Sequence, residues 1–162
     1  MFVTRGGGIK RWCSEMNIRI HSILPESMAD GPGLRTVVFV QGCDKRCLGC
    51  HNPKTWEENG GALWSVKDLV EKIVGIAETR RATISGGEPL LQLPAVMELA
   101  RSLKDKGFDL CLYTGRDESE VPREICTVFD AVKTGPYNEK KRTSVTPYVG
   151  STNQKFTLRT VA

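Results

Sequence analysis

A strand that runs directly into three closely spaced cysteines is the feature that most constrains how this sequence folds. Thr36 to Val40 consists almost entirely of β-branched and aromatic residues, which is typical of a strand buried on both faces. Cys43, Cys47 and Cys50 follow with the spacing Cys-x3-Cys-x2-Cys. Functional loops of α/β proteins usually follow the carboxyl ends of strands, so this order predicts a site at such an end.

The cysteine spacing favours an inorganic centre held by thiolates over disulfide bonds. An odd local number of cysteines cannot close on itself, and such short loops would strain a disulfide. A structural zinc ion would need a fourth ligand, and His51 directly follows Cys50, where it is poorly placed to reach the same ion. Three thiolates suit a 4Fe–4S cluster with one iron left open to a small molecule. We therefore predict that Cys43, Cys47 and Cys50 hold such a cluster.

Residues on both sides of the cysteines carry a family resemblance. The cysteine spacing resembles that of the radical S-adenosylmethionine (SAM) superfamily. The segments Asp30 to Arg35 and Cys50 to Trp56 look like those of the glycyl-radical-enzyme activases. Among these, the chain is most similar to the small activating proteins of anaerobic (class III) ribonucleotide reductases. Gly150 to Phe156 resembles the Gly-Ser-x-Asn-Gln ending of that group.

The resemblance implies an activity, its cofactors and its partners. The cofactors are a 4Fe–4S cluster and SAM, which one electron cleaves to methionine and a 5′-deoxyadenosyl radical. This radical generates a glycyl radical on a large partner enzyme, here an anaerobic ribonucleotide reductase. A flavodoxin or ferredoxin is the implied electron donor. Because the cofactors carry the chemistry, we predict no catalytic side chain.

Two further strand ends supply the residues that the resemblance assigns to SAM. Gly86, Gly87 and Glu88 match the Gly-Gly-Glu motif of the superfamily. Its glycines allow the backbone to approach a ligand closely, and its carboxylate accepts hydrogen bonds from the SAM ammonium. Thr114 falls where the family contacts the methionyl end of SAM. His51 is a candidate contact to adenine or ribose, with an ordinary loop residue as the alternative.

Several neighbouring residues keep two interpretations or depart from the wider superfamily. Gly49 stands where most members have an aromatic residue, and Tyr113 where larger activases have aspartate; both agree with the reductase activases. Lys45 and Arg46 either ease cluster reduction by their charge or simply face solvent. Arg35 either supports the site or takes part in docking a partner.

The remaining pattern alternates strands and helices and predicts an α/β fold. Helices are predicted from Ser65 onward, from Pro94 to a stop at Gly107, and, as a short helix, at 119–126. The predicted strands lie at 18–23, 36–40, 81–85, 109–113, 129–133 and 156–159, the first of them an edge strand with His21 on the surface. Short strand–helix connections indicate a mostly parallel sheet. Because the units are too few for a closed barrel, we predict an open partial (β/α) barrel of the radical SAM type. Residues 1–16 are predicted to be a flexible extension and 17–162 a single radical SAM domain.

Composition and charge argue against several other classes of protein. The net charge of +4 is dispersed, which argues against a nucleic-acid partner. No stretch is apolar enough to span a membrane, and six cysteines without a signal peptide indicate a reducing compartment, hence the cytoplasm. Cys111 is predicted to be a buried core residue, whereas Cys13 and Cys126 receive no role.

Three other functions stay open. The chain could activate another glycyl radical enzyme of the formate-lyase type, although its length of 162 residues argues against this alternative. It could be a radical SAM enzyme that acts on a small molecule. It could also be a non-catalytic iron–sulfur electron carrier, against which the Gly-Gly-Glu motif counts.

Overall fold

A computed structural model describes residues 15–159 of the chain, and these contain one mixed sheet. The strands are β1 (Asn17–Ser27), β2 (Arg35–Val40), β3 (Ala62–Ser65), β4 (Arg81–Gly86), β5 (Asp109–Tyr113), β6 (Ala131–Thr134) and β7 (Lys155–Leu158). The helices are α1 (Val66–Ile76), α2 (Leu93–Asp105) and α3 (Ile125–Val128). The seven strands have the order β3-β1-β2-β4-β5-β6-β7, so that β3 and β7 form the two edges of an open sheet.

The centre of the sheet is parallel. Strands β2, β4, β5 and β6 pair in parallel, whereas β1 and β3 on one flank and β7 on the other pair antiparallel. This arrangement confirms the predicted α/β class and is compatible with an open partial barrel. Parallel strands end at the same edge of a sheet, which brings together the loops that follow β2, β4, β5 and β6.

The two faces of the sheet bury different residues. Leu110 and Leu112 of β5 pack in the main core with the helices, while Cys111 and Tyr113 point to the opposite face. That opposite face is partly covered by Phe156 of β7 and its neighbours. The strand period of two residues therefore assigns alternate β5 side chains to the helical core and to the other face. The predicted burial of Cys111 is confirmed, since its residue is 1% exposed.

The predicted helix boundaries reflect local chemistry. Ser65 caps α1, and its hydroxyl oxygen accepts a hydrogen bond from the Asp68 N–H at 3.0 Å. Gly107 follows α2 with a φ of +82°, and its N–H donates to the Lys104 carbonyl at 2.8 Å. Glycine adopts this left-handed conformation without the steric cost of a side chain, which ends the helix.

Two sequence predictions about the fold are wrong. Strand β1 is not an edge strand, because β3 pairs with it on the side away from β2. A strand of only four residues carries too little alternation to be recognised in the sequence. Residues 119–126 do not form one helix, because Pro122 holds Val121 in an extended conformation between a short 3-10 turn and α3.

Some sequence predictions fall outside the described residues, and others concern residues at the start of β1 or the length of the helices. Cys13 and most of the predicted N-terminal extension lie outside residues 15–159. His21 is partly buried, with its Nδ1 3.1 Å from Oε1 of Gln41. None of the helices within 15–159 has the length and apolar character needed to cross a bilayer.

Candidate functional site

The predicted site residues surround one cavity at the carboxyl edge of the parallel strands. Its volume is about 550 Å³, which is within the range of about 300–1,000 Å³ that is usual for small-molecule and cofactor sites. All of the site residues predicted from the sequence line it, namely Cys43, Cys47, Cys50, His51, Gly86, Gly87, Glu88 and Thr114. The fold thus brings together the cysteine loop, which follows β2, and the residues at the ends of β4 and β5.

The cysteine loop is held in shape by backbone hydrogen bonds and by one buried amide. The N–H groups of Gly42 and Cys43 donate to the carbonyls of Thr55 and Trp56 at 2.7 and 3.1 Å. Gln41, which sequence reasoning missed, is 3% exposed and donates from Nε2 to the carbonyls of Lys54 and Glu57. These contacts close the loop onto its own continuation, so its ends are fixed before any ligand binds.

Backbone N–H groups within the loop point at two of the three thiols. The Asn52 N–H donates to Sγ of Cys50 at 3.4 Å. Burial raises the pKa of the Cys43 thiol, and hydrogen bonds from the backbone of Arg46 and Lys45 partly oppose this increase. N–H groups directed at sulfur favour a thiolate and are one of the means by which proteins adjust an iron–sulfur centre.

The cysteine loop offers a set of donor atoms, three thiols, that suits a centre with several irons. Cys43, Cys47 and Cys50 are all free thiols of intermediate exposure that share the cavity. Among residues 15–159, no three His, Cys, Asp or Glu side chains converge tightly enough to hold one metal ion. The thiolates of a cluster bind different irons, so they need not converge on a single point. A cluster in the cavity would therefore be held by these three thiols.

The glycines of the Gly-Gly-Glu segment are required by the cysteine loop itself. Gly86 has a φ of +109°, and a Cβ atom on Gly87 would lie 2.1 Å from the Gly42 carbonyl oxygen. The Glu88 N–H donates to the same carbonyl at 2.8 Å. From the sequence, these glycines are expected to allow close approach of a ligand. In the structure, the close approach is between the end of β4 and the backbone that begins the cysteine loop.

Glu88 connects two neighbouring strand ends. Its residue is 1% exposed, and its carboxylate accepts hydrogen bonds from the Leu90 N–H, the Thr114 hydroxyl and the Gly115 N–H at 3.0, 2.7 and 2.8 Å. An ionised carboxylate has about four acceptor positions, which leaves one for a ligand. The Thr114 hydroxyl also accepts from the Arg116 N–H at 3.0 Å, so its proton is committed to Glu88.

The loop cations take different positions. Arg46 faces solvent, with its guanidinium 3.5 Å from Glu57 in a pair whose side chains are both more than half exposed. Lys45 instead lines the cavity, and so does the exposed His51, whose ring centroid lies 5.2 Å from that of Tyr137. A direct electrostatic effect on the site is therefore available to Lys45 rather than to Arg46.

Arg35 lies far from these groups, at the amino end of β2. Its residue is 1% exposed, and its guanidinium donates to carbonyl or side-chain oxygens of Pro32, Ala82, Thr83 and Asp109. It therefore joins the Gly31–Gly33 turn to the start of β4 and β5. This burial does not suit a residue that docks a partner, whereas support of the site stays a prediction, because the turn that Arg35 holds contains Asp30, which lines the cavity.

Sequence reasoning assigned no role in the site to two further residues of the cavity. Tyr113 and Lys133 line the cavity from β5 and β6, with Nζ of Lys133 4.2 Å from the centroid of the Tyr113 ring. The period of two along β5, which separates Tyr113 from Leu112, was the available signal.

The segment after β6 provides the remaining wall of the cavity. Tyr137, Tyr148 and Gln154 line it. Gln154 holds the wall in place, because its Oε1 accepts from the Gly150 N–H at 2.9 Å and its Nε2 donates to the Gly135 carbonyl at 3.0 Å. The segment between β6 and β7 therefore forms part of the cavity wall.

Comparison with known proteins yields a family and a set of relatives. The family described as "4Fe-4S single cluster domain" matches residues 29–157. The pyruvate formate-lyase 1-activating enzyme of Escherichia coli (strain K12) is 39% identical over 122 residues, which are 70% of this chain and 50% of that protein. The pyruvate formate-lyase-activating enzyme of Staphylococcus epidermidis is 42% identical over 101 residues, covering 59% and 40% respectively. That of Clostridium pasteurianum is 40% identical over 101 residues, covering 59% and 42%.

These matches bear on the cofactor. The chain spans half or less of the length of these relatives. The matched region contains the cysteine loop, Glu88 and Thr114, and the family's description agrees with the 4Fe–4S cluster that the cysteine spacing predicts. This chain, with a profile match over most of its length, belongs to the 4Fe-4S single cluster domain family.

Proposed function

We propose that this protein is a radical SAM activase that generates a glycyl radical on a larger partner enzyme. Cys43, Cys47 and Cys50 hold the 4Fe–4S cluster, and Glu88 binds the ammonium group of SAM through its remaining acceptor position. When bound together, cluster and SAM supply a 5′-deoxyadenosyl radical after one-electron reduction; this radical removes a hydrogen atom from a glycine Cα of the partner. The chain's own residues bind, orient and shield the reactants.

One observation carries this proposal. The three thiols share a cavity with Glu88 and with the ends of β4 and β5, and its volume of about 550 Å³ exceeds what a metal site alone requires. An electron carrier needs a cluster but no adjoining ligand space. The combination of thiols and ligand space therefore supports an enzyme that binds a second cofactor beside the cluster. His51, at the rim beside Tyr137, is then a candidate contact for the adenosyl end.

For the partner, the comparisons support a glycyl radical enzyme of the formate-lyase type. The relatives are pyruvate formate-lyase activating enzymes that are 39–42% identical to this chain over 101 to 122 residues. We propose a flavodoxin or ferredoxin as electron donor, as the family resemblance implies. We also propose the cytoplasm as the compartment, because the described cysteines are free thiols.

An anaerobic ribonucleotide reductase is the second candidate partner. The segment Gly150 to Phe156, which resembles the ending of reductase activases, contributes Gly150 and Gln154 to the cavity wall. Residues that shape the cavity beside the cluster are in a position to affect which partner loop enters. This observation favours the reductase independently of overall identity.

The test is anaerobic. Reconstituted protein with dithionite and SAM is expected to release 5′-deoxyadenosine, which chromatography detects. Addition of either a pyruvate formate-lyase or an anaerobic ribonucleotide reductase is expected to give a glycyl radical signal by electron paramagnetic resonance with one of them. Release of 5′-deoxyadenosine without a radical on either enzyme would favour a small-molecule substrate. A fully loaded cluster that leaves SAM intact would overturn the proposal in favour of an electron carrier.

A further inference from the structure

One ion pair joins the interior of the cysteine loop, residues 44–49, to a neighbouring strand end. Nη2 of Arg116, just after β5, donates to Oδ2 of Asp44 at 2.6 Å. Among residues 15–159, the loop interior makes one other side-chain hydrogen bond to the rest of the chain, from Arg46 to Glu57 at 3.5 Å. Both side chains of that second pair are more than half exposed, and Glu57 belongs to the loop's own continuation. Within the described chain, the Asp44–Arg116 pair is therefore the side-chain hydrogen bond that ties the loop interior to another strand.

The backbone of Arg116 is fixed on both sides of its side chain. Its N–H donates to Oγ1 of Thr114 at 3.0 Å, and its carbonyl accepts from the N–H of Gly135, directly after β6, at 2.7 Å. The side chain of Arg116 is 21% exposed and that of Asp44 is 41% exposed. An ion pair costs less conformational entropy when one partner is already held in place. We therefore expect this pair to contribute near the upper end of the range for surface ion pairs.

The residue that follows Asp44 packs against the same strand end. A Cβ atom on Gly115 would lie 3.3 Å from Cγ of Lys45 and 3.5 Å from Oε2 of Glu88. The Gly115 N–H donates to that same carboxylate oxygen at 2.8 Å. The loop interior thus touches β5 at the point where β5 binds Glu88, so a shift of the loop would change the space between the thiols and this carboxylate.

A carboxylate at position 44 also needs a partner for electrostatic reasons. Asp44 directly follows Cys43, and like charges so close together disfavour each other when the cysteine is a thiolate ligand. Two further thiolates bring more negative charge to the same loop. Arg116 neutralises the carboxylate, so that the loop keeps the contact to β5 without adding net negative charge beside the cluster.

We propose that Arg116 and Asp44 are positioning residues that hold the interior of the cysteine loop against the end of β5 and thereby retain the cluster beside Glu88. The inference rests on the proposed function, which assigns the cluster to the three thiols. The pair acts on local opening of the loop, through which iron reaches a chelator, rather than on unfolding of the whole protein. A surface ion pair contributes up to about 1 kcal/mol, so its loss should make opening up to about fivefold more frequent.

The experiment follows loss of the cluster without turnover. Reconstituted protein is mixed anaerobically with an Fe²⁺ chelator at low ionic strength, and absorbance gives the rate of iron release. We expect Arg116→Met and Asp44→Ala each to release iron about two- to fivefold faster than the unsubstituted protein. The double variant should release it no faster than the faster single variant, because both changes remove the same interaction.

Two controls separate the ion pair from other effects of substitution. Arg116→Lys keeps the charge and a donor and should recover most of the difference. Arg46→Met removes the exposed pair with Glu57 and should release iron at the normal rate. Raised ionic strength screens the Asp44–Arg116 pair, so it should speed release from the unsubstituted protein and change the double variant little.

The outcomes separate this inference from the function on which it rests. Circular dichroism identifies a variant that has lost the fold; if Arg116→Met is one, Asp44→Ala decides the question, because Asp44 is partly exposed. If the unsubstituted protein takes up no 4Fe–4S cluster, the proposed function fails, and the inference fails with it. If it holds a cluster but the single variants release iron at the normal rate, or their effects multiply in the double variant, the inference alone is overturned.

Discussion

The two edges of the parallel sheet bury charge in opposite ways. At the amino edge, Arg35 is 1% exposed, and each nitrogen of its guanidinium donates to a protein oxygen. At the carboxyl edge, the buried Tyr113 hydroxyl has no hydrogen-bond partner within residues 15–159, and the partly buried Lys133 ammonium lies over the Tyr113 ring without an ion-pair partner in that part of the chain. A buried charge whose hydrogen bonds are complete within the protein serves the fold. A buried charge without them is a cost to the fold, which a ligand can offset.

This comparison extends to the groups around each charge. Residues at the amino edge join the Gly31–Gly33 turn to two strands, and their removal should lower stability. The thiols at the carboxyl edge are only partly buried, so their removal should abolish function with little effect on the fold. The following predictions test that division.

The largest expected effect is on the cluster. Cys50→Ala removes one of three thiol ligands, and the iron and sulfide content after reconstitution is expected to fall to about a tenth or less of normal. The free energy of unfolding of the cluster-free protein should change by less than about 1 kcal/mol, because the thiol is only partly buried. Cys126→Ala, a free cysteine of α3, is the control and should bind a full cluster. Equal cluster content in both variants would remove Cys50 from the site.

The second prediction concerns Arg35. Arg35→Met leaves the Asp109 carboxylate and several buried oxygens without their donor, and the expected loss of stability is about 3–5 kcal/mol. Urea unfolding followed by circular dichroism measures it. Arg101→Met, which removes a half-exposed ion pair at 3.6 Å, should cost no more than about 1 kcal/mol. A small loss for Arg35→Met, combined with weaker binding of SAM, would reverse the assignment of the two edges.

Gly87 tests the contact between the end of β4 and the cysteine loop. Gly87→Ala places a Cβ atom against the Gly42 carbonyl, so the two segments must separate, at an expected cost of about 1–3 kcal/mol in the free energy of unfolding. The cluster content should fall as well, because the loop moves with its anchor. Gly75→Ala, in α1 with no atom within 4 Å of the added Cβ, should instead stabilise by up to about 0.5–1 kcal/mol. An unchanged cluster content in Gly87→Ala would show that the loop does not depend on this contact.

The smallest expected effect is a gain. Lys133→Met removes a desolvated ammonium and should raise the free energy of unfolding of the ligand-free protein by about 1–2 kcal/mol at pH 7. The pKa of Lys133 is lowered to about 8 in the folded protein, from the ordinary lysine value of 10.5, so the unfolded chain binds more protons between these values. The stability of the unsubstituted protein therefore rises through that range, and the advantage of Lys133→Met shrinks. Asp30, Glu88 and Tyr113 are retained in both proteins.

Urea unfolding at a series of pH values from 7 to about 10 provides the measurement. Lys72→Met, the same charge change on the exposed side of α1, is the matched control and should show no pH-dependent difference. A loss of stability in Lys133→Met, comparable to that expected for Arg35→Met, would mean that both edges use their buried charge structurally.

Local pattern was sufficient to predict most of the parallel core and both long helices. The apolar run at 36–40, the cap at Ser65 and the stop at Gly107 act through neighbouring residues, and each is found where the sequence predicts it. Strand β3 was missed because its four residues become a strand through pairing with β1, which is a contact distant in sequence. The roles of Arg35 and Gln41 were also inaccessible, since their partners come from other segments.

The sequence by itself determined that three thiols lie on one loop after a buried strand, because ligand spacing and strand pattern are properties of adjacent residues. Only the tertiary structure decided that Glu88 bridges to Thr114, that Gly87 is required by the Gly42 carbonyl, and that Lys133 faces the same cavity over Tyr113. Those relations depend on which strands are neighbours and on which face each side chain lies. Strand order is set by burial and hydrogen bonding over the whole sheet, which no single stretch of the chain encodes.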